Sequence, residues 1–343
     1  MKKRPTRSVD WKKAIARLPK AARADVDQLW DTSGHLPAAQ VEQLLGQLKI
    51  DLGTFMMQLL PVAQQYAVVP VSHYQVGTVA AGRLDAKTGC ANLYLGANFE
   101  FRNAALSFSV HAEQAATNSA WLHGETGLHA LAISAAPCGY CRQFLNELVD
   151  ADQLSLLLPS DPKRPTVYSA WPLHKYLPEA FGPAALGVRG GWMDPELCTH
   201  DLVLAGNAMQ DPLVATAFAA ASQSYAPYLT DTEHHYCGVA VQLADGTIYP
   251  GRYAANAAYN PSLSPLESAL AFMNMNHPRR TPPVVTRCAL VEVPTLASQL
   301  SATQAVLASY APTVGLEYYT AQVAPAKSRQ ATNAKRATRP RRT

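Results

Sequence analysis

The chain writes one structural order twice, and this repeat limits the folds open to it more than any other feature. Residues 73–101, "HYQVGTVAAGRLDAKTGCANLYLGANFEF", alternate apolar and polar stretches around Gly and Asp, the pattern of a β-hairpin. Helical spacing follows from about His111 to His123, "HALAISAA" reads as a short buried strand, and Cys138 opens another helix. The order returns in "YCGVAVQLADGTIYPGRYAANAAYNPSLSPLESALAFM", with Asp245-Gly246 as the hairpin turn, and then in "RCALVEVPTLASQL" as strand and helix. "GANFEF" falls opposite "GRYAANAAY", "VHAEQAA" opposite "SPLESAL", and "ISAAPCGYCRQF" opposite "LVEVPTLASQL". Strands alternating with helices twice over imply an α/β fold in two similar domains.

Around this repeat the chain divides simply. Residues 8 to about 62 carry apolar positions at three- and four-residue spacing and read as helices. The expected plan is a helical segment over 1–62, a domain over 63–190, a similar domain over 191–325, and a tail over 326–343. The tail holds seven basic residues, no acid and no aromatic; removing them from the 29 basic residues leaves 22 against 25 acidic, net −3. It reads as a disordered, solvated extension, with phosphate neutralisation on nucleic acid as the alternative. No apolar run approaches the ~18 residues of a membrane span. The basic start is followed by no apolar signal core, so a cytoplasmic location is expected. Six cysteines in 343 residues are too few for a disulfide scaffold.

Two of those cysteines, Cys138 and Cys141 in "PCGYC", lie three apart at a helix start. Both sulfurs of such a pair reach one zinc ion, and the unpaired N–H groups of a first turn favour thiolates. By itself the pair is open to redox chemistry, metal binding or coincidence. His111 and Glu113 in "VHAEQAA" narrow the choice, since Pro137 follows Glu113 by 24 residues, one strand away. One imidazole and two thiolates make three ligands and leave a fourth position, the arrangement of a catalytic zinc. Glu113, on the first turn of the helix that His111 starts, is placed to move protons.

The H-x-E…P-C-x-x-C pattern is the zinc deaminase signature. Together with "SHYQVG", "GANFEF", "PCGYCRQFLNEL" and "LPEAFGPAAL", the chain resembles cytidine deaminase over about residues 45–320, in the homodimeric form with a second, metal-less copy. The resemblance implies a cytidine deaminase-like three-layer α/β/α fold in tandem. It implies one Zn2+ per chain on His111, Cys138 and Cys141, with Glu113 as proton shuttle. Asn98 and Glu100 would grip the ribose 3′-hydroxyl, Tyr74 and Phe181 would wall the pocket, and the backbone near Ala112 and Cys138 would bind the base edge. Tyr74 stands where the family usually has Phe. The implied reaction is hydrolytic deamination of cytidine and deoxycytidine in pyrimidine salvage, in a homodimer, with no organic cofactor.

The second copy has lost this set. Read by alignment, His111 falls opposite Pro265, Cys138 and Cys141 opposite Thr295 and Ser298, Asn98 and Glu100 opposite Tyr253 and Ala255, while Glu267 keeps the place of Glu113. Its expected role is packing and dimerisation; the resemblance implies that Asn256–Asn260 close the partner's pocket, with a purely structural domain as the alternative. His234, His235 and Cys237 read as loop and strand residues rather than a second metal site. His123 and His129 read as surface. Two rivals remain. A polynucleotide cytosine deaminase would use the tail on nucleic acid, although a free 3′-hydroxyl grip is pointless inside a strand. A zinc-stabilised binding protein would have no use for Glu113.

Overall fold

A computed structural model describes residues 8–161, 163–228, 235–279 and 282–325. The basic tail and His234 lie outside the described residues. The first part runs α1 (Val9–Arg17), α2 (Lys20–Asp27), β1 (His35–Leu36), α3 (Ala38–Leu48), α4 (Leu52–Ala63), β2 (Gly77–Gly82), β3 (Leu93–Ala97), α5 (Ala112–Leu122), β4 (Leu128–Ile133), α6 (Gly139–Leu145), β5 (Ser155–Pro159), β6 (Tyr168–Pro172) and α7 (Leu173–Tyr176). The second runs β7 (Leu202–Leu204), α8 (Pro212–Ala221), β8 (Cys237–Leu243), β9 (Ile248–Arg252), α9 (Pro265–Asn276), β10 (Val285–Glu292), α10 (Leu300–Tyr310) and β11 (Leu316–Val323).

Each part builds one mixed sheet, ordered β1-β3-β2-β4-β5-β6 and β7-β11-β10-β8-β9. The hairpin pairs β2 with β3 antiparallel, and β4 runs parallel to β5; β8–β9 and β10–β11 repeat this pairing. The turn expected at Asp245-Gly246 is there: Gly246 takes φ +88°, and Asp245 accepts the Thr247 N–H at 2.9 Å. Both faces of each sheet are covered, as the fully buried strands require. In the first, α4 lies on one face and α5 on the other; in the second, α8 and α9 do the same.

Two glycines set how closely the inner helices approach. A Cβ on Gly96 would stand 2.3 Å from Ala116 N and 2.6 Å from Ala112 O, and one on Gly251 would stand 2.3 Å from Ala269 N and 2.1 Å from Pro265 O. The equivalence is that of two copies of one fold. The copies meet along α5 and α9, where Asn118 Nδ2 donates to Ser268 O at 3.0 Å and Ser268 Oγ to Asn118 Oδ1 at 2.7 Å. Residues Ala112–Trp121 are consequently buried on every side.

Two expected boundaries shift. A separate segment over 1–62 would end inside α4, but Met56, Leu59, Leu60 and Val62 share one core with Val79, Leu93 and Leu95 of the sheet, and β1 is its edge strand. The helices pack on the sheet because α4 is apolar on most of its circumference and α1 covers only part of it. At the other boundary, Trp192 belongs to the first part: it exchanges backbone hydrogen bonds with Glu147 and Val149, and its ring meets Trp121 and Phe144. His129 and His123 are both exposed as expected, and the His123 ring also packs against Phe272 and Tyr94.

Candidate active site

The site forms where α5 and α6 begin, beyond the ends of the interior strands β3 and β4 of the first copy. His111 is the N-cap of α5, and Gln114 Oε1 accepts its N–H at 3.0 Å. Cys138 is the N-cap of α6, its sulfur accepting from Cys141 N at 3.5 Å. Each ligand-bearing residue is thus fixed by local helix-start geometry. His111 Nδ1 stands 3.6 Å from Cys138 Sγ and 3.2 Å from Cys141 Sγ, and the sulfurs are 3.6 Å apart. Ligands bound at about 2.0–2.3 Å around one tetrahedral ion stand about 3.5–3.8 Å apart. The donor set fits zinc.

The two thiols differ sharply. The hydrogen bond from Cys141 brings Cys138 down to about 5, against the effect of its partial burial. The same bond, with burial, pushes Cys141 well above the ordinary thiol value. Glu113, 4% exposed, is driven upward by burial, with hydrogen bonds to Cys141 and backbone opposing.

A cavity of about 580 Å³ opens over these groups, with His111, Ala112, Glu113, Cys138, Asn98 and Glu100 in its wall. Tyr74 stands at its rim, 62% exposed. Asn98 and Glu100 hold the rim loop as well as facing the cavity. Asn98 Oδ1 accepts from Val76 N at 2.9 Å, and its Nδ2 donates to Tyr74 O at 2.9 Å. Glu100 Oε2 accepts from Val71 N and Ser72 N, both at 3.0 Å, and Oε1 from the Ser72 hydroxyl. Burial would raise the Glu100 carboxyl, but these donors outweigh it and hold it below its usual range. One amide N–H of Asn98 and one lone pair of Glu100 remain for a ligand. Phe181 is not brought into this cavity: its side chain is half exposed, and its carbonyl accepts from Gln143 and Asn146.

Comparison with known proteins agrees with this geometry. The family described as "Cytidine and deoxycytidylate deaminase zinc-binding region" matches twice, over residues 51–155 and 173–304. A protein named cytidine deaminase from Aliivibrio fischeri is 39% identical over 308 residues, covering 89% of this chain and 96% of its own. The chain belongs to the cytidine deaminase family. A cytidine deaminase from Sodalis glossinidius is 44% identical over 255 residues, covering 71% of this chain and 75% of its own. A crystal structure of cytidine deaminase from Burkholderia pseudomallei is 26% identical and covers 37% of this chain and 97% of its own, with a TM-score of 0.30.

Within this deaminase chain the second copy carries a different residue at each of these places. Its pairing with the first needs one correction. Gly96 abuts Ala112 and Ala116, whereas Gly251 abuts Pro265 and Ala269, so His111 corresponds to Ser264 and Glu113 to Leu266. Glu267 matches Gln114: both are third in their helix and accept the N–H of the N-cap, for Glu267 at 3.2 Å from Ser264 N. The second copy therefore keeps no shuttle carboxylate. His235, Cys237 and Glu292 do cluster, all buried. Glu292, however, already accepts from His235 Nε2, Ser298 Oγ, Gln299 N and Tyr318 OH, which fills its lone pairs. These are closed structural contacts, as the strand-and-loop reading expects.

Residues that the motif reading did not single out also touch the site. Tyr140 stacks on the His111 ring at 5.3 Å, and Gln143 bonds to Asn256 across the two copies. Their signal in the sequence is the three-residue spacing that puts Tyr140 and Gln143 on one face of α6.

Proposed function

We propose that this deaminase converts cytidine and deoxycytidine, with water, to uridine and deoxyuridine plus ammonia. The observation that carries the reading is the closed triangle of His111, Cys138 and Cys141 beside buried Glu113 in the wall of a nucleoside-sized cavity. His111, Cys138 and Cys141 hold the zinc, which when bound supplies Lewis-acid activation of water. Glu113 takes a proton from the attacking water and delivers it to N3 of the ring; it then takes the proton of the new C4 hydroxyl as the carbonyl forms and passes it to the amine, which leaves as ammonia. Its low exposure keeps bulk water from competing for that proton. Asn98 and Glu100 spend their remaining polar positions on the ribose 3′-hydroxyl while anchoring the loop that carries Tyr74. The backbone at Ala112 and Cys138 meets the base edge.

A homodimer is supported by the exposed apolar side chains at the site's mouth. Leu106 is 69% and Tyr259 65% exposed, and both line a groove of about 670 Å³ that shares His111 with the first cavity. Among the described residues no helix is long and apolar enough to cross a membrane. The polynucleotide reading rests on the tail, outside the described residues.

The test is the loss of cytidine absorbance with Glu113→Gln beside wild type, and a cytosine-containing oligonucleotide in parallel. The variant keeps its zinc and loses at least ~10²–10⁴-fold in rate. Activity retained by Glu113→Gln, or an oligonucleotide converted in preference to cytidine, overturns the proposal.

A further inference from the structure

We propose that the metal-less copy positions the zinc ligands of the first copy, through a carboxylate latch at Glu147, in the turn two residues past the end of α6. The inference rests on the ligand assignment above. Helix α6 has only seven residues, too few to hold a helix unaided. Where its two sulfurs stand is therefore decided by what grips it. One face, carrying Phe144 and Leu145, enters the core of the first copy. The stripe of Tyr140, Gln143 and Glu147 is taken by the second copy.

Glu147 is 1% exposed. Its Oε1 accepts from Tyr225 OH at 2.7 Å and from the Tyr228 hydroxyl, and its Oε2 from Ala257 N at 2.9 Å. Among the described residues, every donor to this carboxylate comes from the second copy. Burying a carboxylate without such donors is costly, and here burial pushes the group upward while the three donors pull against it. One turn earlier, Asn256 Nδ2 donates to Gln143 O at 3.1 Å, and Asn256 Oδ1 accepts from Gln143 Nε2 at 3.3 Å. At the helix start, Tyr140 OH donates to Asn260 O at 3.1 Å while its ring lies on His111. The loop Asn256–Asn260 thus runs along α6 of its own chain from last turn to first. A Gln in place of Glu147 keeps one acceptor for the fixed Ala257 N–H but turns its NH2 toward the two tyrosine hydroxyls, so the charged acceptor that holds three donors is lost.

The latch is a positioning device, so its readout is the metal as well as the rate. In full-length zinc-loaded protein, Glu147→Gln releases zinc to excess pyridylazoresorcinol several-fold faster than wild type, below the ~10–100-fold that loss of a group bonded directly to a ligand costs. Tyr228→Phe shows a smaller acceleration, and adds nothing on the Glu147→Gln background. If Glu147→Gln does not fold, Tyr228→Phe and Asn256→Ala carry the same measurement. Unchanged zinc release in the variants that fold, even with a lowered melting temperature, overturns the latch and leaves Glu147 a domain staple. His111→Ala separates the two readings: zinc retained by that variant refutes the ligand assignment itself.

Discussion

Replacing Gly96 by Ala puts a methyl group into the contact between β3 and α5. The new Cβ would stand 2.3 Å from Ala116 N and 2.6 Å from Ala112 O, where ordinary contact begins at 3.4 Å. Backbone atoms cannot swing aside, so α5 must withdraw by about 1 Å. That helix starts at His111 and Glu113, while Cys138 and Cys141 ride on α6 and stay. Overpacking of this kind costs about 1–3 kcal/mol, and a ~1 Å misplacement of catalytic groups about 10²-fold in rate. Gly251→Ala is the internal control. It meets Pro265 O at 2.1 Å and Ala269 N at 2.3 Å, but the helix it displaces carries no ligand. Cytidine absorbance and thermal melting on both variants decide the matter. The expected result is a similar fall in melting temperature for both, with kcat/KM down about 100-fold for Gly96→Ala and less than about 10-fold for Gly251→Ala. A fully active Gly96→Ala, or equal losses in both variants, refutes the reasoning.

Three further outcomes are expected. Glu267 is pushed up to about 7 by burial against the pull of Ser264. Its folded-state value lies above the unfolded one, so wild type is stable below about pH 4.5 and loses ~3 kcal/mol as pH rises toward 7. Glu267→Gln therefore gains melting temperature relative to wild type across pH 4.5–7, with the gain constant above; a gain independent of pH would contradict the burial argument. Glu100→Gln weakens the hold on Val71 and Ser72, and steady-state kinetics should show KM rising more than kcat falls. Cys138→Ser and Cys141→Ser each leave a protein with substoichiometric zinc by metal analysis, and stoichiometric zinc in both would remove the two sulfurs from the ligand set.

Much of the fold is legible in the sequence, because its signals are local. The turn at Asp245-Gly246 needs a positive φ that Gly allows, and Cys138, three residues before Cys141, starts a helix where a cap is needed. The first sheet's outer layer was less legible. Apolar spacing marks α4 as a helix, yet it cannot say that it packs on β2, β3 and β4 as well as on α1. The one-residue slip in matching the copies has a plain cause. Fourteen residues, 98–111, lead into α5 and twelve, 253–264, into α9. Matching Glu to Glu across unequal loops paired Glu267 with Glu113, and only the backbone contacts of Gly96 and Gly251 correct it. Ser72 and Glu147 escaped for another reason: their partners lie 28 and 110 residues away, beyond any local periodicity.

The grip of Asn256, Ala257 and Tyr225 on α6 also orders events during synthesis. Ala257 leaves the ribosome 110 residues after Glu147, a delay of about 5–20 s at ~5–20 residues per second. Throughout that interval the emerging chain already contains His111, Glu113, Cys138 and Cys141, and lacks the residues that hold α6 from its other side. A nascent chain thus carries both thiols before it can fix their helix, and the arrival of the second copy completes the packing around them.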